Sequence, residues 1–217
     1  MKHALIRLAA TRPSLAVRRA FFRGSGAYWD RRYAKGGNSG AGSYGHKAEW
    51  KAQVVNRWVT DHGVTSVVDW GCGDGNQLGL ANYERYLGLD RSATAIRMCQ
   101  ERFGTDETKS FMAFDPATLS DRAHWLVGDM ALSMEVIFHL TEDWVFEDYM
   151  TRLFASAKHY VVICSNDTAG TEAGPTEKHR QFTAWVAEQQ PQWTLVEQVD
   201  PPAEVDMMAS LYLYARA

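Results

Sequence analysis

Apolar and polar positions along this chain fall into two alternating periods. From His46 to Asp61 the stretch HKAEWKAQVVNRWVTD sets Trp50, Val54, Val55, Trp58 and Val59 at helical spacing, and Gly63 ends the run. SVVDW then reads as a short β-branched strand, followed by glycines and a predicted helix around Gln77–Tyr83. YLGLD (Tyr86–Asp90) is a second strand. SATAIRMCQERFG is a helix, with Ser92 as its N-cap and Gly104 as its terminator. KSFMAFD (Lys109–Asp115) is a third strand, and a fourth lies near Met130–Val136. FEDYMTRLFASA is a helix, HYVVICSND (His159–Asp167) a strongly apolar fifth strand, and HRQFTAWVAEQQ a further helix. WTLVEQV and SLYLYAR close the chain as two strands with no helix between them.

Strands alternating with helices predict an α/β fold, doubly wound, with a mostly parallel seven-stranded sheet. The last two strands are joined by a short link containing Pro201 and Pro202. A parallel crossover needs a dozen or more residues, so this pair is expected as an antiparallel C-terminal hairpin. The expected division is a helical N-terminal extension over 1–45, with a glycine-rich loop at Gly36–Gly45, and the main domain over 46–217.

Charge adds one feature. Residues 1–35 carry nine basic side chains against Asp30, a balance of +8, which leaves −11 for the rest of a chain whose net charge is −3. A basic arm on an acidic body could meet an anionic membrane surface, a phosphorylated substrate or nucleic acid, or be a solvated cap helix. Its Arg-rich, acid-poor start also resembles an organelle transit peptide. Nucleic acid fits least well, because the body lacks a basic stripe interleaved with stacking aromatics. No apolar run approaches the ~18 residues of a membrane span. Cys72, Cys99 and Cys164 have no CxxC spacing and read as reduced thiols, as expected for a cytoplasmic protein.

The candidate chemistry centres on VVDWGCGDG, Val67–Gly75. Ligands of open α/β sheets bind at the carboxyl ends of the strands, and three successive strand ends here carry acids: Asp69, Asp90 and Asp115. Gly71, Gly73 and Gly75 allow close backbone approach. Asp69 immediately before them would repel a pyrophosphate and suit a positively charged ligand, which is the character of S-adenosylmethionine. The spacing also departs from the GxGxxG of dinucleotide sites.

DWGCGDG followed by GLD resembles the class I S-adenosylmethionine-dependent methyltransferases, over roughly Val64 to the C-terminus. That resemblance implies a Rossmann-like methyltransferase fold and S-adenosylmethionine as cofactor. Asp69 with Gly71, Gly73 and Gly75 would hold the methionine end, Asp90 the ribose hydroxyls, and Asp115 would sit near the adenine amino group. YWDRRY (Tyr28–Tyr33), SGAGSYG (Ser39–Gly45) and HRQFTAWV (His179–Val186) also look like motifs of small bacterial methyltransferases associated with glycan and polysaccharide assembly. In that group Trp29 and Tyr44 would belong to a lid over the cofactor, and the third motif would lie on the substrate side.

A sugar hydroxyl as acceptor needs a general base or a metal. His139, after the fourth strand, and His179, at the head of the next helix, are the candidate catalytic residues. Arg180 would bind a phosphate or carboxylate of the substrate. Glu135, Asn166 and Asp167 are oxygen donors near strand ends, but Asn-Asp is also a common turn pair, and no metal is expected. The resulting expectation is methylation of a hydroxyl on a sugar, glycan or other small molecule, with peripheral membrane contact through the arm. The alternative is a non-catalytic or partner-dependent module that keeps the cofactor pocket.

Overall fold

A computed structural model describes residues 24–168, 170 and 176–217. Most of the basic arm (1–23) therefore lies outside the described residues. The elements run α1 (Ser25–Ala34), α2 (Gly45–Asp61), β1 (Ser66–Trp70), β2 (Arg85–Asp90), α3 (Ala93–Phe103), β3 (Lys109–Ala113), β4 (Gly128–Met134), α4 (Asp143–Ala155), β5 (Ala157–Ser165), α5 (Phe182–Gln189), β6 (Trp193–Val199) and β7 (Ser210–Arg216). The strand order is β3-β2-β1-β4-β5-β7-β6. The first five strands are parallel to one another, and β7 inserts antiparallel between β5 and β6. The expected doubly wound sheet with its closing hairpin is the one observed.

Alternation along each strand divides the core between two faces. Val68, Trp70, Ala131 and Ile163 pack under α4 and α5, with Phe146, Leu153, Phe154 and Phe182. Val67, Met130, Leu132 and Val162 pack under α2 and α3, with Val55, Trp58, Ile96 and Cys99. Two hydrogen bonds pin the first face to the sheet: Trp70 Nε1 donates to Ser156 Oγ at 2.8 Å, and Tyr149 Oη donates to the Trp70 carbonyl at 2.6 Å.

Two predicted elements differ. The helix expected around Gln77–Tyr83 is a single 3-10 turn, Leu78–Leu80. The glycines at 75 and 79 weaken a helix there, and the Asn76 side chain is drawn away to the Ser43 carbonyl at 2.6 Å. The helix expected to open at His179 begins at Phe182. Asp167 sets that start, accepting from Thr183 N at 3.1 Å and Thr183 Oγ1 at 2.5 Å. Among the described residues, no helix is long and apolar enough to cross a membrane.

Candidate functional site

A cavity of about 440 Å³ opens at the carboxyl ends of β1, β2 and β4, within the range of small-molecule sites. Its floor comes from the strand ends (Asp69–Gly73, Asp90, Met134 and Glu135), and its mouth from α1, the 39–43 loop and His139–Leu140.

Asp69 and Asp90 are both buried on that floor. Asp69 Oδ2 accepts from Tyr86 Oη at 2.7 Å, while Oδ1 is buried without a hydrogen-bond partner. Burial pushes its carboxyl up to about 7, against the Tyr86 hydrogen bond. Asp90 Oδ2 accepts from Gly73 N at 3.0 Å and Oδ1 from Ser92 N at 2.8 Å. Burial raises it to about 6, and those two backbone donors hold it lower than burial alone would.

All three glycines of the turn have positive φ, at 84°, 61° and 74°. What they accommodate is mostly the protein itself. A Cβ on Gly71 would fall 2.6 Å from Val136, one on Gly73 2.2 Å from Ser39 Oγ, and one on Gly75 2.8 Å from Phe103. Gly71 and Gly73 line the cavity, whereas Gly75 packs against α3 outside it.

The N–H groups of the turn are spent. Gly71 N and Cys72 N donate to Leu89 O, Gly73 N to Asp90, Asp74 N to Ser39 Oγ, Gly75 N to Cys72 O and Asn76 N to Asp74 Oδ1. A phosphate-binding turn needs free N–H groups aimed at its ligand and a helix N-terminus behind them. This turn offers neither, so its chemistry suits a ligand that donates or carries positive charge.

The 39–44 loop sits over the turn through one acid, Asp74. Its Oδ2 accepts from Ser39 N and from Tyr44 Oη, both at 2.8 Å. Tyr33 Oη meets Ser39 Oγ at 3.0 Å. Helix α1 lies across the mouth with Ser25, Trp29, Arg32 and Tyr33 facing the cavity. Ser25 N donates to Glu142 Oε1 at 3.1 Å, and Asp30 Oδ1 accepts from Ser92 Oγ at 2.8 Å.

The other expected site residues divide. Trp29 lines the cavity and meets the His139 ring edge-on at 4.9 Å. His139 also lines it, with Nδ1 3.2 Å from the Thr176 carbonyl. Burial depresses its pKa, against that carbonyl's contribution. A carbonyl only accepts, so Nδ1 bears the proton and neutral His139 keeps its lone pair on Nε2.

Tyr44 is not in the cavity lining; it serves as a strut to Asp74. Asp115 is exposed and accepts from Ala117 N in a turn, while Phe114 and Pro116 on either side of it face the cavity. His179 is buried outside the cavity, with Nδ1 3.0 Å from Asn166 Oδ1. Arg180 is committed to Leu140 O at 2.7 Å and Asp143 Oδ1 at 2.8 Å, and it stacks 4.5 Å from the Phe146 ring centroid. Trp185 packs edge-on against Phe146 at 5.9 Å as part of the core. Among the described residues, no group of three or more His, Cys, Asp or Glu side chains is placed to hold a metal ion.

Sequence reasoning passed over Asp74, Ser39 and Lys51. Asp74 sits inside the glycine motif itself, and Lys51 stands on the buried stripe of α2 between Ala48 and Val55. A lysine at an apolar-face position was the available signal.

No protein-family model and no curated protein matches the chain. Solved structures do. Magnesium protoporphyrin IX methyltransferase from Synechocystis PCC 6803, with bound SAH, is 16% identical with a TM-score of 0.62, over 94% of this chain and 100% of that one. The N-methyltransferase NodS from Bradyrhizobium japonicum WM9, in complex with S-adenosyl-L-homocysteine, is 14% identical with a TM-score of 0.64, over 89% and 98%. An S-adenosylmethionine-dependent methyltransferase from Clostridium acetobutylicum ATCC 824 is 10% identical with a TM-score of 0.59, over 78% and 91%. At such identities the likeness is one of architecture: this chain has the Rossmann-like fold of the S-adenosylmethionine-dependent methyltransferases.

Proposed function

We propose that the protein is an S-adenosylmethionine-dependent methyltransferase acting on a hydroxyl of a sugar, glycan or other small molecule. The observation that carries this is the floor of the cavity. Two buried acids flank a glycine turn whose N–H groups are all taken, and one oxygen of Asp69 is buried without a partner. Such a floor repels phosphate and accepts donors and cations. Asp69 would hold the methionine end of the cofactor. Each Asp90 oxygen retains a lone pair beyond its backbone partner, which suits the ribose hydroxyls. When bound, the cofactor supplies a methyl group already activated on a sulfonium.

The chain's own residues supply the rest. Trp29 and the loop held by Asp74 cover the mouth and exclude water. His139, neutral and with Nε2 basic, takes the proton of an acceptor hydroxyl. The structural neighbours include a porphyrin methyltransferase and an N-methyltransferase, so the acceptor assignment rests on His139 and not on the fold.

Calorimetric titration with S-adenosylmethionine, S-adenosylhomocysteine and NAD tests the cofactor. Both adenosyl ligands bind, NAD does not, and Asp90→Ala weakens binding by about a hundredfold, as expected when hydrogen bonds to a charged group are lost. Failure of both adenosyl ligands to bind the wild type would sink the proposal. His139→Ala then lowers turnover of a hydroxyl acceptor by ~10²–10⁴ at unchanged cofactor affinity. Unchanged turnover removes the hydroxyl assignment.

A further inference from the structure

Beneath the 39–44 loop lies a lysine that the proposed chemistry leaves unexplained. Lys51 is 0% exposed, and its Nζ meets Glu135 Oε2 at 2.5 Å. A lysine is fully buried only when paired, and its partner faces the cavity: the Glu135 side chain is 19% exposed and lines the floor with Asp69.

Two further features single out Glu135. Its φ is 59°, a left-handed backbone that costs a non-glycine residue energy and marks functional sites. The Glu135 N–H is held by the Cys164 carbonyl at 2.9 Å, which fixes the kink to β5. Gly42 of the loop lies directly on its carboxylate, where a Cβ would fall 2.0 Å from Oε2. A side chain there would have to displace that carboxylate from Lys51, so the loop closes against this acid.

The charges are then countable. Asp69, Asp90 and Glu135 contribute three negative charges when ionised and Lys51 one positive. Asp69 also feels the Lys51 charge. The floor therefore carries a net −2 beneath a closed loop, where fields are poorly screened. S-adenosylmethionine, with its sulfonium, α-ammonium and carboxylate, is +1 overall, and S-adenosylhomocysteine is neutral.

We infer that Asp69, Glu135 and Lys51 together discriminate the charged cofactor from its neutral product, with Lys51 positioning Glu135. Methyl transfer removes one positive charge from the ligand, so the floor loses one favourable charge interaction as reactant becomes product. This rests on the cofactor proposal above.

The test is the ratio of the two calorimetric Kd values, S-adenosylhomocysteine over S-adenosylmethionine, at about pH 8, where Asp69 is ionised. Glu135→Gln and Asp69→Asn each bring the floor to −1 and each lowers the ratio about tenfold, and Asp69→Asn in addition weakens both ligands through the methionine end they share. Lys51→Met combined with Glu135→Gln restores −2 through Asp69 and Asp90 and returns the ratio to within about threefold of wild type. Should Glu135→Gln fail to fold with Lys51 left unpaired, Asp69→Asn still decides the matter. Equal weakening of both ligands in the two single variants overturns the inference while leaving the cofactor proposal intact. Absence of binding by either ligand to the wild type overturns the proposal beneath it.

Discussion

The floor and the mouth of the cavity are built in opposite ways. The floor belongs to the sheet: Val67–Asp69 pair in register with Tyr86–Gly88 on one side and Met130–Leu132 on the other. The mouth is held by side chains reaching to backbone or to one another: Asp74 to the loop, Glu142 to Ser25, Ser92 to Asp30. Loss of the floor is loss of the fold, whereas the mouth can open with the sheet intact. The difference teaches how one site can keep a fixed charge pattern and still admit and release ligand.

The strongest way to strain the floor is pH. Asp69 and Asp90 have folded pKa values of about 7 and about 6, above their ordinary carboxylate values, because burial penalises the charged form. A raised acid contributes stability that is full below the unfolded pKa and is lost as pH rises through the folded one. Stability of the ligand-free protein is therefore expected to fall between about pH 4 and pH 7, on the order of 7 kcal/mol. His139, depressed by burial, works the other way, losing its penalty as pH rises. The acids whose pKa is lowered, such as Asp143 and Glu197, act below this window. Urea unfolding at several pH values reads the slope, and Asp69→Asn flattens it. A stability that rises across the window shows that the floor acids are not held as burial requires.

The mouth is addressed through Asp74. Asp74→Ala removes the acceptor of Ser39 N, Tyr44 Oη and Asn76 N. The expected cost is about 2 kcal/mol of loop closure. Hydrogen exchange should quicken over residues 39–44 while β1 and β2 keep their protection. Equal acceleration in the strands would mean that floor and mouth open as one unit.

Most of the floor was legible in the sequence, because period-two alternation places strand ends and acids there stand out against apolar neighbours. Asp69, Gly71, Gly73 and Asp90 all reach the cavity. Asp115 does not, because β3 ends at Ala113 and the acid falls in the following turn. The mouth was read unevenly. Trp29 and His139 arrive, but the position of a residue after a strand does not say which way a loop turns its side chain. Asp74 was hidden among glycines, and Lys51 sits on the buried stripe of α2 at a position where helical spacing calls for an apolar residue. The missing helix after the turn illustrates the same limit: Gly75 and Gly79 lower helix propensity between Gln77 and Tyr83, and only a single 3-10 turn forms there.

The smallest predicted effect separates the mouth from the scaffold around it. Arg180 looked like an anion-binding residue, yet its guanidinium ties the start of α4 to the segment before α5. It bonds Leu140 O, Thr141 O and Asp143 Oδ1 and stacks on Phe146. Asp143 is largely exposed, so the ion pair itself is worth little, and the carbonyl bonds and stacking supply most of the effect. Arg180→Met, which keeps the stem packed on Phe146, is expected to lower stability by about 1 kcal/mol and to leave acceptor KM within about twofold. Thermal unfolding and steady-state kinetics measure the two together. A tenfold rise in KM at unchanged stability would move Arg180 from the scaffold into the mouth, and with it the boundary between the parts that hold the fold and the parts that meet the acceptor.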